Sequence, residues 1–269
     1  MNHPGQYQIV WGDGSDMGIV RNHEADLVLT SPPYFPGDIA DLLEKPLDEQ
    51  TELPEVRSAV TAFALGLRPV YEEIRRILKP GGALVVQVKD IHYGGVLVAL
   101  ASLHRDMAES TGLVLLSRVF WHKFNRRSLS HRFPVKPVVG AFRADEVEEI
   151  LVFSDRDIPP DPESPVELGR EEIRHCASPL WTMAPAGRRR VHPHKAPFTL
   201  VRRMIALFSR PGELVVDPFA GSGTTLEIAV RMGRRAVGYE IQEHYAQLAD
   251  LSVARAIRIK PNHEDDGCD

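Results

Sequence analysis

The stretch Leu214-Val215-Val216-Asp217-Pro218-Phe219-Ala220-Gly221-Ser222-Gly223-Thr224-Thr225 decides how the rest of the chain is read. Its apolar start predicts a strand over Leu214 to Asp217, and the glycines after it lead into a helix beginning near Gly223. A strand, a glycine turn and a helix N-terminus in that order leave backbone N–H groups free to meet a ligand. No lysine follows the second glycine, so this is not a phosphate loop, and the third glycine of the dinucleotide turn GxGxxG is missing. The next strand, Ala236 to Tyr239, ends at Glu240, where a carboxylate about 20 positions behind the turn suits the hydroxyls of a ribose diol. A tight strand–helix connection would also need such glycines, but it would not need Glu240.

Outward from this stretch, short apolar runs alternate with helical periodicity. Strands are expected at Gln8 to Trp11, Leu27 to Thr30, Ala83 to Val88, Leu113 to Trp121 and Glu149 to Phe153, making seven in all. Val56, Val60, Phe63, Leu67, Val70, Ile74 and Ile77 recur at helical spacing, and Lys79-Pro80-Gly81-Gly82 stops that helix. Further helices are expected at Leu97 to Met107, Phe198 to Phe208 and about Glu243 to Ile259. Asp155 to Pro193 is rich in proline and reads as loop, with room for a short helix near Val166 to Arg174. Strands separated by helices imply an α/β fold with a mostly parallel sheet covered on both faces. The expected division is residues 1–154 and 191–260 as two halves of one domain, 155–190 as an insertion, and 261–269 as an acidic tail.

A second signal stands at the end of the strand Leu27 to Thr30: Thr30-Ser31-Pro32-Pro33-Tyr34. Two prolines fix φ and remove two backbone donors, so the segment presents carbonyl acceptors beside the Ser31 hydroxyl and the Tyr34 ring. Such a surface suits a planar substrate bearing an amino group. Taken alone, the pentapeptide would serve equally as a loop terminator.

The composition, 43% hydrophobic and 26% charged, is ordinary for a globular protein. No stretch approaches the roughly 20 apolar residues of a membrane span, and Met1 to Val10 lacks the layout of a signal peptide. Cys176 and Cys268 are isolated, which makes a zinc site or disulfide framework an unpromising reading and a reducing cytoplasm the default location. A net charge of −5 speaks mildly against nucleic acid, yet the charge is unevenly spread. Arg118 to Arg143 carries seven Lys or Arg and no acid, and Arg188 to Arg203 carries six and no acid. Either run could be a solvated face; two of them on an acidic chain suit a polyanion groove.

Together these residues resemble the beta-class amino DNA methyltransferases, whose motif order is circularly permuted. In that family an (S/D/N)PP(Y/F) tetrapeptide precedes a DPFxGSGTT loop, as Ser31-Pro32-Pro33-Tyr34 precedes Asp217 to Thr225 here. The likeness spans nearly the whole chain, including Ile77 to Gly82, Val119 to Lys123 and Glu148 to Phe153. His192-Pro193-His194-Lys195-Ala196-Pro197-Phe198 resembles the HPAPFP-type element before the cofactor loop but departs from it at His194 and Lys195. The resemblance implies a Rossmann-like seven-stranded sheet, S-adenosyl-L-methionine as cofactor and double-stranded DNA as substrate. It implies that Ser31, Pro32, Pro33 and Tyr34 are catalytic. The cofactor residues would be Asp13 (adenine), Glu240 (ribose) and Phe219, Ala220, Gly221, Ser222, Gly223, Thr224 and Thr225 (methionine part), with Asp217, Pro218 and Lys195 in the same set. The strand ending at Gly12-Asp13 should then lie beside that of Glu240.

An exocyclic amino group is a poor nucleophile because its lone pair is delocalised into the ring. Acceptors at Ser31 and the Pro32 carbonyl would favour a pyramidal nitrogen, with positioning as the main catalytic device. The base must be flipped out of the duplex, and Tyr34 would stack on it. This route needs no metal and no covalent enzyme intermediate. Carbon-5 methylation would need a nucleophilic cysteine after proline, which neither Cys176 nor Cys268 is. Serine at position 31 is more typical of cytosine-N4 enzymes and aspartate of adenine-N6 enzymes, so cytosine N4 is the preferred target and adenine N6 the alternative. RNA or protein amino methylation, a nicotinamide oxidoreductase and a non-catalytic DNA-binding protein are weaker rivals. Target recognition is expected in the Pro-rich insertion, about Asp155 to Arg190, assisted by Arg126, Arg127 and Arg132; DNA contacts from these and from Arg188, Arg189 and Arg190 would go either to guanine edges or to phosphates. Phe35 to Pro54 could close over the flipped base or be an exposed structural loop. A cognate restriction endonuclease is a candidate partner, and the sequence leaves monomer and homodimer both open.

Overall fold

Near-continuous burial along the central apolar strands builds the sheet on which everything else is placed, since helices cover both of its faces. The computed structural model describes residues 6–33, 53–93, 96–123, 147–156, 167–185 and 196–258. Tyr34, Arg126, Arg127, Arg132, Arg188, Arg189, Arg190, Lys195, most of the Phe35 to Pro54 segment and the acidic tail lie outside the described residues. Along the chain come β1 (Tyr7–Trp11), β2 (Ala25–Thr30), α1 (Leu53–Ile77), β3 (Leu78–Val88), β4 (Ile91–Tyr93) and β5 (Val96–Val98). They are followed by α2 (Leu100–Ser110), β6 (Val114–Lys123), β7 (Val147–Ser154), α3 (Arg170–Cys176) and β8 (Leu180–Met183). The last elements are α4 (Phe198–Phe208), β9 (Leu214–Asp217), α5 (Thr224–Arg231), β10 (Arg235–Glu240) and α6 (Glu243–Arg258).

Eight strands form one sheet in the order β1-β10-β9-β2-β3-β7-β6-β8, and β4 and β5 form a separate antiparallel ribbon. From β1 to β3 every pairing is parallel; β7 runs antiparallel to both β3 and β6, and β8 is parallel to β6. Because successive side chains point to opposite faces, the strands feed two cores. Val28, Leu84, Val86 and Val216 pack with Phe63, Leu67, Val70 and Ile74 of α1. Leu27, Leu29, Ala83, Val85 and Val215 pack with Leu200, Val201, Met204 and Ile205 of α4 and with Leu226 and Ile228 of α5. The chain leaves β2 through α1 toward β3 and leaves β9 through α5 toward β10, in opposite directions across the sheet. Such a reversal opens a crevice at the carboxyl ends of the two strands, the usual ligand position in sheets of this type.

The expected mostly parallel α/β sheet is present, with one strand more than the seven read from the sequence. The addition is β8, inside the stretch read as loop. Pro179 and Pro185 flank it, and an edge strand of four residues tolerates prolines at its ends because half its backbone groups face no neighbour. The helix expected from Leu97 starts instead at Leu100, since Val96–Val98 pairs with Ile91–Tyr93. Its N-terminus has no local side-chain cap; the Ala101 N–H is met by Asp90 Oδ1 at 3.0 Å, from eleven positions upstream. That partner is not where a capping signal would be sought.

Candidate active site

Thr30 ends β2, Asp217 ends the neighbouring β9, and a buried hydrogen bond joins them: Thr30 Oγ1 donates to Asp217 Oδ1 at 2.8 Å. The Phe219 N–H also donates to Asp217 Oδ1, at 3.1 Å, and the Thr225 hydroxyl bonds the same carboxyl. One side chain therefore holds the strand before Ser31-Pro32-Pro33, the start of the glycine loop and the first turn of α5. Burial pushes the Asp217 carboxyl up to about 6, against the lowering effect of these donors. Asp217 lines the cavity described below, but its present partners make it a latch between the two motifs.

The expected neighbourhood of Asp13 and Glu240 is observed. Trp11 pairs with Glu240 in the sheet, and the Gly12 N–H donates to the Glu240 carbonyl at 3.0 Å. Asp13 is exposed beyond the strand end, where its Oδ1 accepts the Ser15 N–H at 2.9 Å. Glu240 turns its carboxylate back on the glycine loop: Oε2 accepts the Gly221 N–H at 2.9 Å and Oε1 the Gln242 N–H at 2.8 Å. Each oxygen keeps lone-pair capacity for a hydroxyl. Two glycines are sterically required here. A Cβ on Gly14 would lie 2.6 Å from the Pro218 carbonyl oxygen, and Gly223, at φ +82°, would put one 2.8 Å from Ala249 Cβ. The close approach of the Gly12-Asp13-Gly14 turn to Pro218 brings the ends of β1 and β9 around one opening.

That opening is a cavity of about 470 Å³, lined by Asp13, Ser31, Pro32, Pro33, Glu240 and the loop from Asp217 to Ser222 among others. The volume falls within the roughly 300–1,000 Å³ of sites that enclose a small organic ligand. Ser31 and Pro33 are half-buried and Pro32 is buried. Phe63, Gly66, Leu67 and Val70 of α1 form one wall, and Ala196, Val201 and Met204 another. The structure thus gathers into one space the two signals that lie about two-thirds of the chain apart. Gly223 is not among the lining residues; it shapes the turn from beneath. Among the lining residues without a role expected from the sequence, Ile241 and Gln87 stand out. Ile241 is 65% exposed at the cavity beside Glu240, its loop fastened by a Trp11 Nε1 hydrogen bond to the Ile241 carbonyl at 3.1 Å. Gln87 is 4% exposed on β3, a glutamine inside the otherwise apolar stretch Ala83 to Val88. That compositional exception is the signal that could have revealed it.

Within the described residues, cations of the two basic runs are paired with carboxylates from other elements. Arg118 lies 3.6 Å from Glu149, and Lys123 Nζ lies 2.6 Å from Glu148 Oε1. Arg202 and Arg203 both pair with Glu172, and the Arg203 guanidinium also lies over the Trp181 ring at 5.7 Å. Absence of acids within a run does not leave it unpaired when the sheet and α3 bring carboxylates from elsewhere. Glu167 likewise bonds Arg234, which is 1% exposed, at 2.5 Å. These pairs fasten residues 167–183 to α4 and the turn before β10. Arg126, Arg127, Arg132, Arg188, Arg189 and Arg190, the arginines singled out for DNA, are outside the described residues.

A family model described as DNA methylase, of the N6/N4-methyltransferase type, matches residues 25–251. The type II methyltransferase M.MjaI of Methanocaldococcus jannaschii is 27% identical over 92% of this chain and 91% of its own length. M.MthZI of Methanothermobacter thermautotrophicus, also a type II methyltransferase, is 26% identical over 94% of this chain and 78% of its own. Among solved structures, TTHA0409 of Thermus thermophilus in complex with S-adenosyl-L-methionine superposes with a TM-score of 0.71 at 29% identity, covering 93% of this chain and 94% of that one. The cytosine-N4-specific PvuII DNA methyltransferase, at 19% identity, shares the fold with a TM-score of 0.69 over 95% and 91% of the two chains.

Proposed function

The chain belongs to the N6/N4 family of DNA methylases, and from that footing we propose that it methylates the exocyclic N4 of cytosine in double-stranded DNA, with S-adenosylmethionine as donor. The observation that carries the reading is the single cavity in which Ser31-Pro32-Pro33 faces the glycine loop and Glu240. The residues fit the donor. Glu240 has acceptor capacity for ribose hydroxyls, and Ile241 offers an exposed apolar side chain to the adenine ring. Ser222 precedes the N-terminal end of α5, where the first-turn N–H groups suit the carboxylate of the methionine part, while the Gly221 N–H is held by Glu240. Asp13 and Glu240 put carboxylates around a cavity that would hold a cation. When bound, S-adenosylmethionine supplies a methyl group on an electrophilic sulfonium.

The chain's own contribution is to the amino group. Ser31 and the Pro32 carbonyl accept its N–H bonds and draw the nitrogen toward a pyramidal geometry, with its lone pair turned to the glycine-loop side of the cavity. Tyr34 stacks on the flipped base. Asp217 keeps the two sides in register through Thr30 and Phe219. The choice of cytosine rests on serine at position 31, and residues 155–190 are the proposed target-reading insertion. Mass spectrometry of nucleosides after incubation of unmethylated genomic DNA with protein and S-adenosylmethionine tests the proposal. N4-methylcytosine is expected; N6-methyladenine as sole product would overturn the cytosine assignment, and no methylated base would overturn the whole reading.

A further inference from the structure

Beside Ser31 the sheet carries a largely buried polar chain of Gln87, Glu148 and Lys123. Gln87 Nε2 donates to Glu148 Oε2 at 2.5 Å, and Lys123 Nζ lies 2.6 Å from the other oxygen of the same carboxylate. Gln87 and Glu148 are 4% and 6% exposed, and the Lys123 ammonium also sits 5.4 Å from the Trp121 ring centroid. An apolar core does not gain stability from such a group of polar residues, because each must be desolvated. The position of the chain in the sheet points instead to the substrate.

Gln87 follows Ala83 and Val85, which belong to the core under α4; Glu148 follows the line of Ile150 and Val152, and Lys123 that of Val119 and Trp121. With a two-residue period all three project to the α4 face, at the carboxyl end of the parallel strands. In the β2–β3 ladder Thr30 pairs with Val86, so Ser31 and Gln87 come next, side by side, about 4.8 Å apart across the strands. Leu27 and Leu29 belong to the same face, which puts Ser31 in line with it. Ser31 and Gln87 both line the cavity.

We propose that Gln87 is a base-contacting residue: its second amide N–H donates to the ring nitrogen next to the amino-bearing carbon of the flipped base. That nitrogen is N3 in cytosine and N1 in adenine, an acceptor in both and a donor in thymine and guanine. A carboxylate only accepts, so Glu148 holds the amide with nitrogen toward itself, and Lys123 fixes Glu148. A glutamine free to flip its amide would offer donor and acceptor alike; the pinned one selects the amidine edge. Ser31 and Pro32 then take the amino hydrogens while Gln87 takes the adjoining ring atom. This inference rests on the proposed function but holds for either amino target.

The test is steady-state methylation of a duplex carrying the unmethylated target site, using the whole chain. Gln87→Leu should lower kcat/KM by about tenfold or more, while calorimetric affinity for S-adenosylmethionine stays within about twofold. A swapped pair, Gln87→Glu with Glu148→Gln, keeps the buried hydrogen bond but replaces the cavity-facing donor by an acceptor, and should be impaired to a similar extent. Wild-type rates in the swapped protein would reduce Gln87 to a structural role and overturn the inference. Substituting the target by its ring-deaza analogue (3-deazacytosine, or 1-deazaadenine if adenine is the product) gives an independent readout. The wild type should discriminate against the analogue at least about tenfold more than Gln87→Leu does; equal discrimination overturns the inference. A wild-type protein that methylates no DNA base would remove it together with the reading on which it rests.

Discussion

Asp217 shows how much one buried side chain can carry. Its protonated form is favoured by burial, so its stabilising contribution is complete below the ordinary 3.8 and is lost as the pH rises through about 6. Asp217→Asn keeps an acceptor for Thr30 and the Phe219 N–H but cannot ionise. Relative to wild type, the variant should gain about 3 kcal/mol between pH 3.5 and 7.5, the free energy that separates an ordinary aspartate from one held near 6. Urea melts of the cofactor-free proteins across that range check this; a pH-independent difference would show that Asp217 does not titrate in the folded protein. Ser31→Ala should cut single-turnover methylation by roughly ten- to a hundredfold while leaving cofactor binding unchanged. Tyr34→Ala should cost more and Tyr34→Phe little, since stacking uses the ring. Ser31, Asp217 and Glu240 were legible in the sequence because their motifs are contiguous. The latch to Thr30 and the pinning of Gln87 were not, because each joins residues that only strand pairing brings together.

At the scale of elements, legibility followed how far each one depends on itself. Phe198–Phe208 and Leu214–Asp217 have the bounds their apolar spacing predicts, since both are stopped by local turn chemistry. β8 and the start of α2 were misread because their limits are set by β6 and Asp90, distant in sequence. The long α1 contains Gly66, an exposed glycine at the cavity wall where an added Cβ would meet nothing within 4 Å. Glycine inside a helix costs roughly 0.5–1 kcal/mol relative to alanine. Gly66→Ala should therefore raise the melting temperature by a few degrees without weakening S-adenosylmethionine binding. A lower melting temperature would mean that the helix needs glycine there for its own geometry.

For the molecule as a whole, the net charge is −5 and Arg118, Lys123, Arg202 and Arg203 are paired with carboxylates, so the expected DNA contacts fall to the other cations of the two runs. DNA affinity should still fall steeply with salt, and Arg126→Ala with Arg127→Ala should flatten the slope by about 0.9 for each phosphate that is no longer neutralised. Arg202→Ala with Arg203→Ala should leave it unchanged; fluorescence anisotropy over a salt series reads both. Equal flattening in the two double variants would refute the distinction. No sequence run discloses this, because Glu172, Glu148 and Glu149 neutralise cations from positions 25 to 31 residues away. The pairing of β2 with β9 carries a further consequence, for the making of the protein. Leu27 meets Val215 across 188 residues of chain, and Tyr7 meets Ala236 across 229. On the ribosome, β2 can find β3 early, but its other edge and the whole of β1 wait for the last quarter of the chain. Long-range parallel pairing is slow, and an apolar edge such as Leu27-Val28-Leu29 is open to association with other nascent chains meanwhile. Much of the cavity lining comes from Asp217 onward, so a ligand held there as proposed could assist only the final closure of the sheet and not the hazardous interval before it.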